Sequence, residues 1–143
     1  MRKYNLEIIG YINTLENISK VHVKDCFTNR IGQLIFIIEQ GEGGKAIGKN
    51  GSNIKRLGAI LNKSIKIIEY NIDPVRFLNN IIYPIKSENI YIQDNEIRIE
   101  IKSTQDKALL IGREQANLKE IQEIITKYFP YKVIIKWARN QVA

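Results

Sequence analysis

Cysteine and histidine are almost missing: Cys26 and His22 stand alone in 143 residues. One cysteine excludes an intrachain disulfide and a cysteine-rich zinc site. Any Ser/His, Cys/His or histidine-rich metal chemistry would rest on one imidazole, and His22 reads as an ordinary strand residue. Proline is scarce, at three residues, and no Gly/Ser-rich or Pro-rich stretch suggests a flexible linker. The longest apolar run, Leu34–Ile38, falls far short of the roughly 20 residues that span a bilayer. The opening Met1-Arg2-Lys3-Tyr4-Asn5-Leu6-Glu7 lacks the apolar stretch of a signal peptide. No membrane partner and a cytoplasmic location are therefore expected. Acidic residues are also outnumbered: 22 Lys and Arg face 15 Asp and Glu, for a net charge of +7, which points to a polyanionic partner. Carboxylate pairs such as Glu39/Glu42 and Glu120/Glu123 have no readable base or oxyanion partner. The expectation is a binding protein, not an enzyme, with no cofactor, metal or small-molecule substrate.

What the chain has in abundance is isoleucine, 29 residues of it, and an internal repeat. A shift of 64 positions lays Ile47-Gly48-Lys49-Asn50-Gly51-Ser52-Asn53-Ile54-Lys55 on Ile111-Gly112-Arg113-Glu114-Gln115-Ala116-Asn117-Leu118-Lys119. Leu57, Ile60 and Leu61 then fall on Ile121, Ile124 and Ile125, and Ile35 and Ile37 on Ile99 and Ile101. Each copy reads as two strands (21–27 and 34–39; 89–93 and 97–102), a Gly-punctuated segment, an amphipathic helix and a closing strand (64–70; 132–137). Residues 4–18 predict an N-terminal amphipathic helix. Asp73-Pro74, an N-cap followed by proline at the first helical position, opens a short helix that Pro84 ends. Reading that helix as a connector puts the boundary near residue 83, giving units 1–83 and 84–143. The expected fold is α+β: two small units, each a three-stranded sheet covered on one face by helices.

The segment from Gly41 to Ser52 admits three readings. Gly43 to Lys49 spells the G-x-x-x-x-G-K of a P-loop, but Asn50 stands where a Ser or Thr hydroxyl should meet magnesium. Gly41-x-Gly43-x-x-Ala46 after a strand, with Glu69 ending the next, imitates a dinucleotide fingerprint. Its helix would be interrupted by Gly48 and Gly51, at roughly 1 kcal/mol each relative to Ala. The third reading is helix, tight turn, helix, with Gly48-Lys49-Asn50-Gly51 as the turn. Glycines there let the backbone approach a sugar-phosphate chain, and the next helix N-terminus offers unpaired N–H groups to a phosphate. No acid lies between Glu42 and Glu69, while Lys45, Lys49, Lys55, Arg56, Lys63 and Lys66 do.

Ile47-Gly48-Lys49-Asn50-Gly51, between two helices and ahead of a strand, resembles the K-homology (KH) RNA-binding domain. The tandem pair covers nearly the whole chain. Together with Lys24-Asp25-Cys26, the stretch 47–57, and Glu69-Tyr70 ahead of Asp73-Pro74, it is similar to the archaeal NusA-like family of transcription termination factors. The resemblance implies units of the type with an extra N-terminal helix and strand, and single-stranded RNA as ligand, about four nucleotides per intact unit. It implies a role in transcription termination or elongation control. Carried over residue by residue, Gly48, Lys49, Asn50, Gly51 and Ser52 form the loop that meets the RNA backbone. Lys45, Lys55 and Arg56 flank it, and Ile47 and Ile54 lie under the bases.

The second copy departs from this pattern. Gln115 replaces the last glycine and Glu114 adds an acid, while Gly112, Arg113 and Lys119 remain as its weaker counterparts. Charge is uneven too: twelve basic residues face seven acidic ones in 1–82, against ten and eight in 83–143. A basic end that includes Lys136 and Arg139 surrounds Trp137, which could stack a base or pack in a core. A second reading of the whole chain is an adaptor on RNA polymerase or another RNA–protein assembly, with RNA contact secondary.

Overall fold

A computed structural model describes residues 5–138. The Asn5 side chain accepts from the Ile8 N–H at 2.9 Å and starts α1 (Leu6–Ser19), which Lys20 closes in a left-handed conformation. The strands β1 (Val23–Thr28) and β2 (Leu34–Ile38) follow, then α2 (Gly43–Ile47), α3 (Ser52–Leu61) and β3 (Ile65–Glu69). The second half repeats the order as α4 (Pro74–Ile82), β4 (Asn89–Gln93), β5 (Glu96–Ile101), α5 (Thr104–Ile111), α6 (Ala116–Tyr128) and β6 (Lys132–Trp137). In each sheet the middle strand pairs antiparallel with the first and parallel with the last.

Strand alternation sets the core. In the first sheet Leu34, Phe36 and Ile38 are fully buried in a cluster with Leu15, Val21, Cys26, Ala46 and Leu57, and Ile8, Tyr11 and Ile12 of α1 pack against it. In the second sheet Ile97, Ile99 and Ile101 are buried, as are Leu110 of α5 and Ile121 and Ile125 of α6. His22 lies just ahead of β1 rather than within it, with an exposed side chain and its backbone N–H donating to Glu42 Oε1 at 2.7 Å.

The chain divides between Asn71 and Ile72, twelve residues before the boundary drawn from the sequence. The reason is α4. Asp73 caps it as the sequence indicates, its Oδ1 accepting from the Val75 N–H at 3.0 Å. Instead of connecting the units, α4 packs on α6 and β4, with the Phe77 ring edge-on to Tyr128 at 5.5 Å. It is the second unit's counterpart of α1. Among the described residues no helix is long and apolar enough to cross a membrane.

Candidate nucleic-acid interface

The first loop is a single 3-10 turn, Lys49–Gly51, between α2 and α3. The Gly48 N–H donates to Gly44 O at 2.9 Å and the Gly51 N–H to Gly48 O at 3.1 Å. Gly48 sits at φ 78°, ψ 167°, a region essentially reserved for glycine. A Cβ there would lie 2.8 Å from Ser52 Oγ and 2.9 Å from the Asn53 backbone nitrogen. Asn50 (φ 56°, ψ 28°) and Gly51 (φ 73°, ψ 18°) are both left-handed. A Cβ on Gly51 would meet only Lys55 Cε, at 3.9 Å.

The second loop repeats this path. Gly112 (φ 72°, ψ 174°), Glu114 (φ 54°, ψ 32°) and Gln115 (φ 63°, ψ 18°) follow their counterparts closely. The pattern of glycine loss follows from the geometry. The first glycine is demanded by its backbone region. The last occupies a left-handed well that other residues enter at a cost of about 1–2 kcal/mol, so Gln115 is accommodated. What separates the loops is charge at the tip, not shape.

Lys49, Asn50, Ser52, Lys55 and Arg56 are exposed around the first loop, with Ile47 37% exposed and Ile54 half-buried. No side chain caps the N-terminus of α3, although its first N–H, that of Ser52, donates to Lys49 O within the turn. The other basic residues of the acid-free stretch are not gathered there. Lys45 Nζ donates to Lys20 O at 3.1 Å, satisfying a carbonyl at the end of α1. Lys63, beyond the far end of α3, lies 5.8 Å from the Tyr11 ring centroid. Lys66 pairs in register with Ile35, on the sheet face turned away from α2 and α3.

In the second unit Arg113, Glu114, Gln115 and Lys119 are exposed. Lys136 stands in register with Glu100 on the face opposite Ile99 and Ile101, so it is not brought to the loop. Arg139 lies outside the described residues. Trp137 pairs with Ile101 on the helix-facing side, 49% exposed, with Lys107 Nζ 4.3 Å from its ring centroid. It is neither a core residue nor a bare platform.

The dinucleotide reading does not survive the geometry. Glu69 Oε1 accepts from the Gly43 N–H at 2.9 Å, so the acid that should take a ribose hydroxyl is bound to the helix itself, and α2 ends at Ile47. Among the described residues no group of three or more His, Cys, Asp or Glu comes together that could hold a metal ion. The structure also brings forward a residue that the motif reading passed over. The Asn53 side-chain amide donates to Lys45 O at 3.0 Å, across the loop. The signal for it was present in the sequence, as Asn117 recurs at the same place in the repeat.

A KH-domain family model matches residues 8–73, from α1 to the cap of α4. A probable transcription termination protein NusA of Methanocaldococcus jannaschii is 32% identical over 137 residues, covering 91% of this chain and 74% of that protein. The chain belongs to the archaeal NusA family. A second NusA, from Methanococcus vannielii, is 34% identical over 91 residues, 64% of this chain and 52% of its own length. The crystal structure of APE1850 is 31% identical, with a TM-score of 0.65, and is covered over 93% of this chain and 100% of that one. Within this NusA fold the first loop keeps both glycines of the KH turn and the second keeps one.

Proposed function

We propose that the chain binds single-stranded RNA through the first unit's loop and acts in transcription termination or elongation control. The observation that carries this reading is the loop itself. A glycine-opened turn leads into a start of α3 that no side chain caps, beside the exposed Lys49, Lys55 and Arg56, in a stretch of chain with no acid between Glu42 and Glu69. Such a surface binds a sugar-phosphate chain by electrostatics and close backbone approach, and binding rather than catalysis is the proposed activity.

The test is a titration of short unstructured RNA across salt concentrations. With about four phosphates held, and about −0.7 per phosphate on single strands, log affinity should fall against log salt with a slope near −3. Affinity independent of salt would remove this reading. Glu114 at the second loop tip favours a different use of the second unit, as a rigid contact surface for RNA polymerase or another protein of the assembly. Crosslinking in cells that recovers polymerase without RNA would make that the main function.

A further inference from the structure

The two turns, Gly48–Gly51 and Gly112–Gln115, are short and conformationally demanding, each holding consecutive left-handed residues between two helices. Something must hold the two helix ends together. In both units it is the same residue. Asn53, second residue of α3, reaches back eight positions to Lys45 O at 3.0 Å. Asn117, second residue of α6, reaches Leu109 O at 2.9 Å and Leu110 O at 3.1 Å. These carbonyls belong to the last turn of the preceding helix, where no intrahelical donor remains. At the same time the Asn53 side chain packs against the bare α-carbon of Gly48, whose Cβ would stand 2.9 Å from Asn53 Cγ. Glycine and asparagine are thus two halves of one device, the glycine making room for the side chain that closes the turn.

We infer that Asn53 and Asn117 are positioning residues that hold the two loops in their binding-ready shape before any ligand arrives. This rests on the RNA reading only for its consequence, not for its geometry. A preformed loop loses less conformational freedom when it engages a backbone, so affinity rises without a new contact. The amide is already engaged by a carbonyl of its own chain, and its contribution to RNA binding passes through the loop. The second loop, whose tip is acidic, keeps the tie in full. Shape and charge at this turn are therefore separable properties.

The experiment compares the full-length wild type with Asn53→Ala by amide hydrogen exchange, without RNA, and by RNA titration over a range of salt. Exchange at the Gly51 N–H should rise at least tenfold in the variant, with thermal unfolding within a few degrees of wild type. RNA affinity should fall about fivefold or more, by the same factor at every salt concentration. Loss of a phosphate contact, as in Lys49→Ala, should instead flatten the salt slope by about 0.7. Unchanged exchange at Gly51 overturns the proposal whatever the RNA titration gives. So does faster exchange with unaltered affinity in a protein whose wild type binds RNA. A wild type that binds no RNA defeats the RNA reading alone, since the exchange comparison still decides whether Asn53 holds the loop. Asn117→Ala, read at the Gln115 N–H, repeats the exchange test in the second unit.

Discussion

Asn50 and Glu114 share one backbone conformation at the tips of the two loops, φ 56°, ψ 28° and φ 54°, ψ 32°. A neutral side chain in one and a carboxylate in the other are presented from the same scaffold. In a chain whose first loop has been silenced by Lys49→Asp/Asn50→Asp, adding Glu114→Asn should recover RNA binding several-fold. No recovery in a folded protein would place the defect of the second unit elsewhere than at its tip.

The silencing pair itself separates binding from folding. Lys49 and Asn50 are exposed, and aspartate is among the residues that enter the left-handed region most readily. Stability should change by no more than about 0.5 kcal/mol, while RNA affinity falls well over tenfold as one positive charge becomes two negative ones. Chemical denaturation beside a binding titration reads both.

The two loop glycines should differ in cost. Gly48→Ala puts a Cβ 2.8 Å from Ser52 Oγ in a backbone region other residues avoid, and should destabilise the first unit by about 2–3 kcal/mol. Gly51→Ala meets only Lys55 Cε at 3.9 Å and should cost about 1 kcal/mol. Equal midpoint shifts in urea would refute the ranking.

Core and interface residues on α3 should likewise separate. Leu57 is fully buried in the first core, whereas Ile54 is half-buried near the loop. Leu57→Ala should cost about 3–5 kcal/mol through the cavity it leaves. Ile54→Ala should cost less in stability and relatively more in RNA affinity. Paired measurements of unfolding and binding on both variants test this division.

Glu42 should make the stability of the first unit fall on acidification. The His22 backbone N–H, with smaller contributions from the His22 ring and Lys45, holds the Glu42 carboxyl below the ordinary carboxylate range. A depressed folded-state value stabilises above the unfolded value and is lost as pH falls through the carboxylate range. Glu42→Gln should therefore melt below wild type at neutral pH, and the gap should close on acidification. A gap that is constant from neutral pH down through that range would contradict it.

The features legible in the sequence are those written over short distances along the chain. The repeat, the glycine-bounded turn, the capping of α4 by Asp73 and Pro74 and the apolar stripe of α3 all follow from spacings within a few residues. Backbone geometry and helical periodicity act at that range. Only the tertiary structure decided which unit owns α4, since that choice is made by Phe77 meeting Tyr128 across 51 positions of chain. It also decided which cations face the loop. Lys66 lies among isoleucines at 65, 67 and 68, so alternation alone does not choose its face; pairing with Ile35 does. Lys45 is drawn to the end of α1 and Asn53 to the end of α2 because unpaired helix carbonyls there need donors, and which donor arrives depends on how the helices are packed.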